Sequence, residues 1–122
     1  MQLGARTWFI VFITSIAMLT VALQAQEPIT LFTGRQHIST AWEVCLQAKQ
    51  AVHAEELLFF EFEDATDWTL SMDGQEVQTF TGKPYYAYSG SIEPGTHLVK
   101  IAVKKPATLL FIRGYEGVEL CP

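Results

Sequence analysis

The chain has 122 residues, a formal net charge of −5 and 49% hydrophobic residues. That length allows one domain after any leader. The acidic balance excludes a nucleic-acid partner, because phosphate binding needs concentrated positive charge.

Arg6 and the amino terminus precede a predominantly apolar run from Trp8 to Leu23, followed by Gln24-Ala25-Gln26. This is the n, h and c pattern of a secretory signal peptide cleaved after Ala25. The run has 16 residues, short of the roughly 20 that a spanning helix needs. The alternative is an uncleaved anchor over Thr7 to Ala25, the one route to a membrane. The expectation is therefore a signal peptide over 1–25 and a single small mainly-β domain over 26–122, exported to the periplasm or the extracellular space. The chain contains no Asn, which excludes N-glycosylation.

Two cysteines follow the leader, Cys45 and Cys121. In an oxidising compartment an even pair reads as one disulfide. Closing so long a loop is worth about 4 kcal/mol on the chain-entropy model.

In chain order, Ile29 to Thr33 reads as a first strand ended by Gly34. From Arg35 to Asp73 there is no Gly, Pro or Asn, the residues that usually punctuate a β chain. Residues 40–56 are rich in helix formers, and Thr40 with Glu43 fits a capping box. Ala41, Val44, Cys45, Ala48, Ala51 and Val52 share one helical stripe. These features predict one helix near 40–56. The competing pattern is a strand, since Ile38, Thr40, Trp42, Val44 and Leu46 also alternate cleanly.

From Leu57 onward the pattern is β. Leu58, Phe60 and Phe62 alternate with Phe59, Glu61 and Glu63, so both faces carry aromatics at first. A turn is predicted at 64–67, then a strand from Trp68 to Met72, an Asp73-Gly74 hairpin and a return strand over Glu76 to Thr81. Gly82-Lys83-Pro84 is predicted to break the chain before a strand from Tyr85 to Ile92. Pro94-Gly95 fits a type II turn, and strands follow over Leu98 to Lys104 and Thr108 to Arg113. The class is mainly β: an antiparallel meander or small sandwich of about five to seven strands with one helix, α+β, or else an all-β sandwich.

Two segments resemble exported β-sandwich modules of the PEGA and PA14 types. Trp68 to Val77 is similar to their strand, Asp-Gly, strand hairpin, and Ser91 to Ile101 to their Pro-Gly-x-His strand. The resemblance covers residues 68–112, under half of the mature chain. It implies a sandwich, acting at surfaces (PEGA) or on carbohydrate (PA14).

Candidate chemistry is sparse. His37, His53 and His97 show no metal-ligand spacing, so no metal is expected. No nucleophile elbow or phosphate-cradling loop is present, so the chain is not expected to be an enzyme or to take a cofactor. The acidic turn with Glu61, Glu63, Asp64 and Asp67 could offer oxygen ligands to a hard cation or face a basic partner, or it could simply be solvated. Tyr85, Tyr86 and Tyr88 share one strand, with Tyr85 facing one way and the other two the opposite way. Exposed aromatics stack on sugar faces or anchor protein partners. The expected function is a non-enzymatic exported module that contacts a protein partner or assembly. The alternative is a carbohydrate-binding module using the tyrosine strand, and a small secreted enzyme or inhibitor is the third reading.

Overall fold

The computed structural model describes residues 29–122. The segment expected to be a signal peptide lies outside these residues.

Seven antiparallel strands form the domain: β1 (Ile29–Ile38), β2 (Ala41–Ala48), β3 (Val52–Met72), β4 (Gln75–Ile92), β5 (Gly95–Val103), β6 (Ala107–Gly114) and β7 (Val118–Leu120). The predicted helix is absent. β2 occupies its place, bonded to β5 along its length and to β7 over Leu46–Ala48. Two-sided pairing overrides helix propensity, which differs by only tenths of a kcal/mol per residue. Thr40 caps nothing: its carbonyl accepts a hydrogen bond from the Val103 amide at 2.9 Å.

The lack of Gly and Pro before Asp73 has two causes. Bends at Ser39-Thr40 and Lys49-Gln50 make the turns. β3 then runs for 21 residues and needs none. The predicted turn at 64–67 lies inside β3, and the predicted break at Gly82-Lys83-Pro84 lies inside β4. Both are bends of a single long β3–β4 ribbon. Register shifts flank Thr66, as expected where an extra residue raises local twist and bends a strand.

The bend converts one ribbon into two sheets. The first half of β3, Leu58–Phe62, pairs with β6, and β6 pairs with β1. The second half, Trp68–Met72, pairs with β5, and β5 with β2. β4 follows β3 through both halves. One sheet is thus β1-β6-β3-β4 and the other is β4-β3-β5-β2-β7. This non-sequential order excludes the meander and makes a sandwich.

Two contacts hold the bend. Tyr86 Oη donates to the Thr66 carbonyl at 2.7 Å and accepts from the Lys83 amide at 2.6 Å. Asp67 Oδ1 accepts from the Gly82 amide at 2.8 Å, and its carbonyl accepts from Lys104 at 3.0 Å. Gly82 has φ +75°, which glycine adopts without strain. Beneath the bend, Trp68 packs on Phe60, Phe62, Phe80 and Tyr86 with ring centroids 4.6–5.9 Å apart. Leu58, Leu70, Val99, Ile101, Leu109 and Ile112 are also buried in the interior.

Cys45 lies on the outer face of β2, across from Leu98. It is bonded to Cys121, with Cα atoms 5.4 Å apart. The Cys121 amide also donates to the Cys45 carbonyl at 3.1 Å. The disulfide expected from cysteine parity is therefore present, and it straps the C-terminal tail to β2.

Candidate functional site

Strand parity divides the three tyrosines. Tyr86 is buried in the core at the bend. Tyr88 is half-buried on the same inner side, and its ring folds over Gly90, where an added Cβ would meet Oη at 2.6 Å. Tyr85 alone points outward, 56% exposed. The three do not form one platform.

Tyr85 instead meets residues from neighbouring strands. Its ring lies 6.4 Å from that of Phe59 on β3, with planes 20° apart. Phe59 sits across from Arg113 on β6, and Glu61 lies between Tyr85 and Phe111. The Arg113 guanidinium carbon is 4.9 Å from the Phe59 ring centroid and 5.2 Å from that of Phe111. Thr30 and Thr33 of β1 continue the row beside Arg113 and Phe111. A strip of aromatic and charged side chains thus crosses β4, β3 and β6 on one outer face, and the two threonines carry it onto β1. Each cation–π contact at such a site is worth about 0.5–1 kcal/mol, which favours keeping the arginine beside the two rings.

The other outer face has different chemistry. Thr79, Thr69, Ala102 and Ala41 are in register across four strands, and the next row is Ser71, Lys100 and Glu43. Thr69 and Thr79 hydroxyls lie 3.3 Å apart. Those two rows are small or polar, and an exposed Leu98 lies further along the same face, opposite Cys45. The aromatic rows described above are on the first sheet.

The predicted acidic cluster does not converge. Glu63 pairs with Arg35 of β1. Asp67 supports the bend, and the Asp64 carbonyl accepts from Thr66 Oγ1 at 2.8 Å. Glu61 belongs to the aromatic strip. Among the described residues, no group of three or more His, Cys, Asp or Glu side chains could hold a metal.

His97 joins two turns. Its Nδ1 donates to Asp73 Oδ2 at 2.7 Å and its Nε2 to the Glu93 carbonyl at 2.7 Å. Both partners are acceptors, so both ring nitrogens carry protons in this arrangement. The Asp73 bond holds the imidazole pKa above its usual value against a smaller effect of burial. Asp73 is held below the usual carboxylate value by His97 and by the Leu98 amide at 2.9 Å. This clamp fixes the tip of the β3–β4 hairpin, where Asp73 has φ +51°.

A cleft of about 570 Å³ opens between the β2–β3 and β6–β7 connections, lined by Lys49, Val52, His53, Tyr115 and Glu116 among others. His53 is not free there: its Nδ1 is 2.6 Å from Ser91 Oγ.

Phe59, Phe111 and Arg113 were not among the residues singled out from sequence. Their signal was a large aromatic on the acidic face of β3 and a Phe-x-Arg alternation on β6. Nothing in one sequence showed that the two strands are neighbours.

No protein-family model matches this chain, and no curated protein matches it. Solved structures share its fold. A family 35 carbohydrate-binding module from an environmental isolate superposes with a TM-score of 0.58 at 14% identity, over 79% of this chain and 91% of that one. An active-site mutant of a family two carbohydrate esterase from Clostridium thermocellum gives a TM-score of 0.50 at 11% identity, over 78% of this chain and 33% of the esterase chain. This chain therefore spans about a third of that esterase. At these identities the likeness is one of β-sandwich fold.

Proposed function

We propose that the domain is an exported, non-enzymatic carbohydrate-binding module, and that its sugar-binding surface is the strip of Tyr85, Phe59, Phe111 and Arg113. The observation that carries this reading is the exposed Tyr85 ring set nearly parallel to Phe59 on an open sheet face. Pyranose rings present flat C–H faces that pack on aromatic rings, while their hydroxyls need donors and acceptors alongside. Arg113 and Glu61 supply both. The sandwich fold shared with a family 35 carbohydrate-binding module supports the reading. So does the disulfide, which is compatible with export.

Affinity electrophoresis through gels containing soluble polysaccharides tests it. The wild-type domain is retarded by at least one polysaccharide, and Tyr85→Ala weakens the retardation about tenfold, the equivalent of one lost ring contact. Unretarded wild type, or a Tyr85→Ala variant equal to it, contradicts the proposal.

A protein partner is the second reading. β1 and β4 each pair with one neighbour only among the described strands. Their open edges can accept an added strand.

A further inference from the structure

We infer that the strip takes an internal stretch of an extended, uncharged polysaccharide, about three sugars at a time, rather than a chain end or an acidic sugar. This rests on the reading of the strip as a sugar-binding surface and adds what kind of sugar it takes.

Length comes from the register. The strip starts at Tyr85 on one edge strand, crosses Phe59 and Glu61, continues through Arg113 and Phe111, and ends at Thr33 on the other edge strand. Four strands place its ends about 14 Å apart, the reach of about three pyranose rings in an extended chain. The cleft at the β2–β3 and β6–β7 connections includes no strip residue, and neither does a smaller one of about 320 Å³ beside the ribbon bend, lined by Thr66, Gly82, Lys104 and Pro106 among others. Both ends of the strip are sheet edges, so a bound chain can continue past either side. A site that captures chain ends needs a wall, and the loop clefts that could supply one lie elsewhere.

Charge decides against acidic sugars. Glu61 stands between Tyr85 and Phe111, so a chain crossing the strip must pass it. Arg113 packs beside Phe59 and Phe111, contacts that do not use its N–H groups as hydrogen-bond donors to an acceptor atom, so a hydroxyl can accept from them. Arg35 is already paired with Glu63. These four charges therefore balance, while the chain as a whole carries −5. A polyanion meets no net attraction locally and repulsion from the rest of the domain.

Calorimetric titration with neutral β-linked oligosaccharides of one to six sugars, and with a polyuronate, tests the inference on the disulfide-bonded domain. Affinity is expected to rise about tenfold or more from one sugar to about three, then to change less than about twofold. Blocking either chain end leaves it unchanged, and so does raising the salt concentration. Tyr85→Ala and Phe111→Ala, at opposite parts of the strip, each move the plateau to a shorter chain. Equal affinity for one sugar and six, loss of binding on blocking one end, or tighter salt-sensitive binding of the polyuronate each overturn the inference and leave a sugar-binding strip standing. No heat with any glycan, from folded protein, overturns both.

Discussion

Removing one oxygen atom from Tyr86 separates its role from that of its neighbour. In Tyr86→Phe the ring stays in the core, and only the hydroxyl that bridges the bend is lost. That hydroxyl satisfies the Thr66 carbonyl at 2.7 Å and the Lys83 amide at 2.6 Å, and Tyr86 is only 8% exposed. A buried backbone group left without a partner costs about 1–3 kcal/mol. The Thr66 carbonyl bears most of that cost, because Lys83 is exposed and water can reach its amide more readily. The expected loss is about 2 kcal/mol. For a domain of this size, that lowers the thermal midpoint by about 8–16 °C. Thermal unfolding followed by circular dichroism measures it, with Tyr85→Phe as control. The same atom is lost there from an exposed ring, so the change stays within about 0.5 kcal/mol. Equal midpoints for the two variants would refute the assignment of Tyr86 to the bend.

Reducing the Cys45–Cys121 bridge, or replacing both residues by Ser, costs about 4 kcal/mol and lowers the urea midpoint, because a loop spanning 76 positions regains its freedom when unfolded. The His97–Asp73 clamp makes stability depend on pH. The raised His97 contributes fully below its ordinary value of 6.5 and loses its contribution as pH rises through its higher folded value. The lowered Asp73 contributes above its ordinary 3.8 and loses its contribution as pH falls through its lower folded value. Urea unfolding across pH should therefore show a contribution that is complete between these two ordinary values; in His97→Gln its alkaline limb is lost, while part of the acid limb remains through the Leu98 amide. Gly90→Ala forces the Tyr88 ring off the strand and costs about 1 kcal/mol, measured by the same unfolding. NMR of the variant should show the Tyr88 ring resonances moved.

Where a structural signal was local, it was legible. The Asp73-Gly74 and Pro94-Gly95 turns, the opposite facing of Tyr85 and Tyr86, and the pairing of two cysteines all follow from one or two residues and strand parity. Residues 40–56 were misread because composition and a capping pair favour a helix, whereas the strand is imposed by β5 and β7, far along the chain. The bend of the β3–β4 ribbon was mistaken for chain breaks for a related reason. A turn and a bulge use the same residues, and the Tyr86 bridge that distinguishes them spans 20 positions. The aromatic strip was visible only in part. Tyr85 stood out in a tyrosine-rich segment, but its partners come from strands 26 and 28 positions away, and only the strand order unites them.

The proposed function places sugars on one outer sheet face. Amide chemical-shift mapping of the labelled domain during titration with a neutral oligosaccharide tests it most directly. Shifts are expected to centre on Phe59 to Glu61, Tyr85 to Ala87 and Phe111 to Arg113. Shifts centred instead on the cleft at Val52, His53 and Tyr115, with those three segments unmoved, would contradict it.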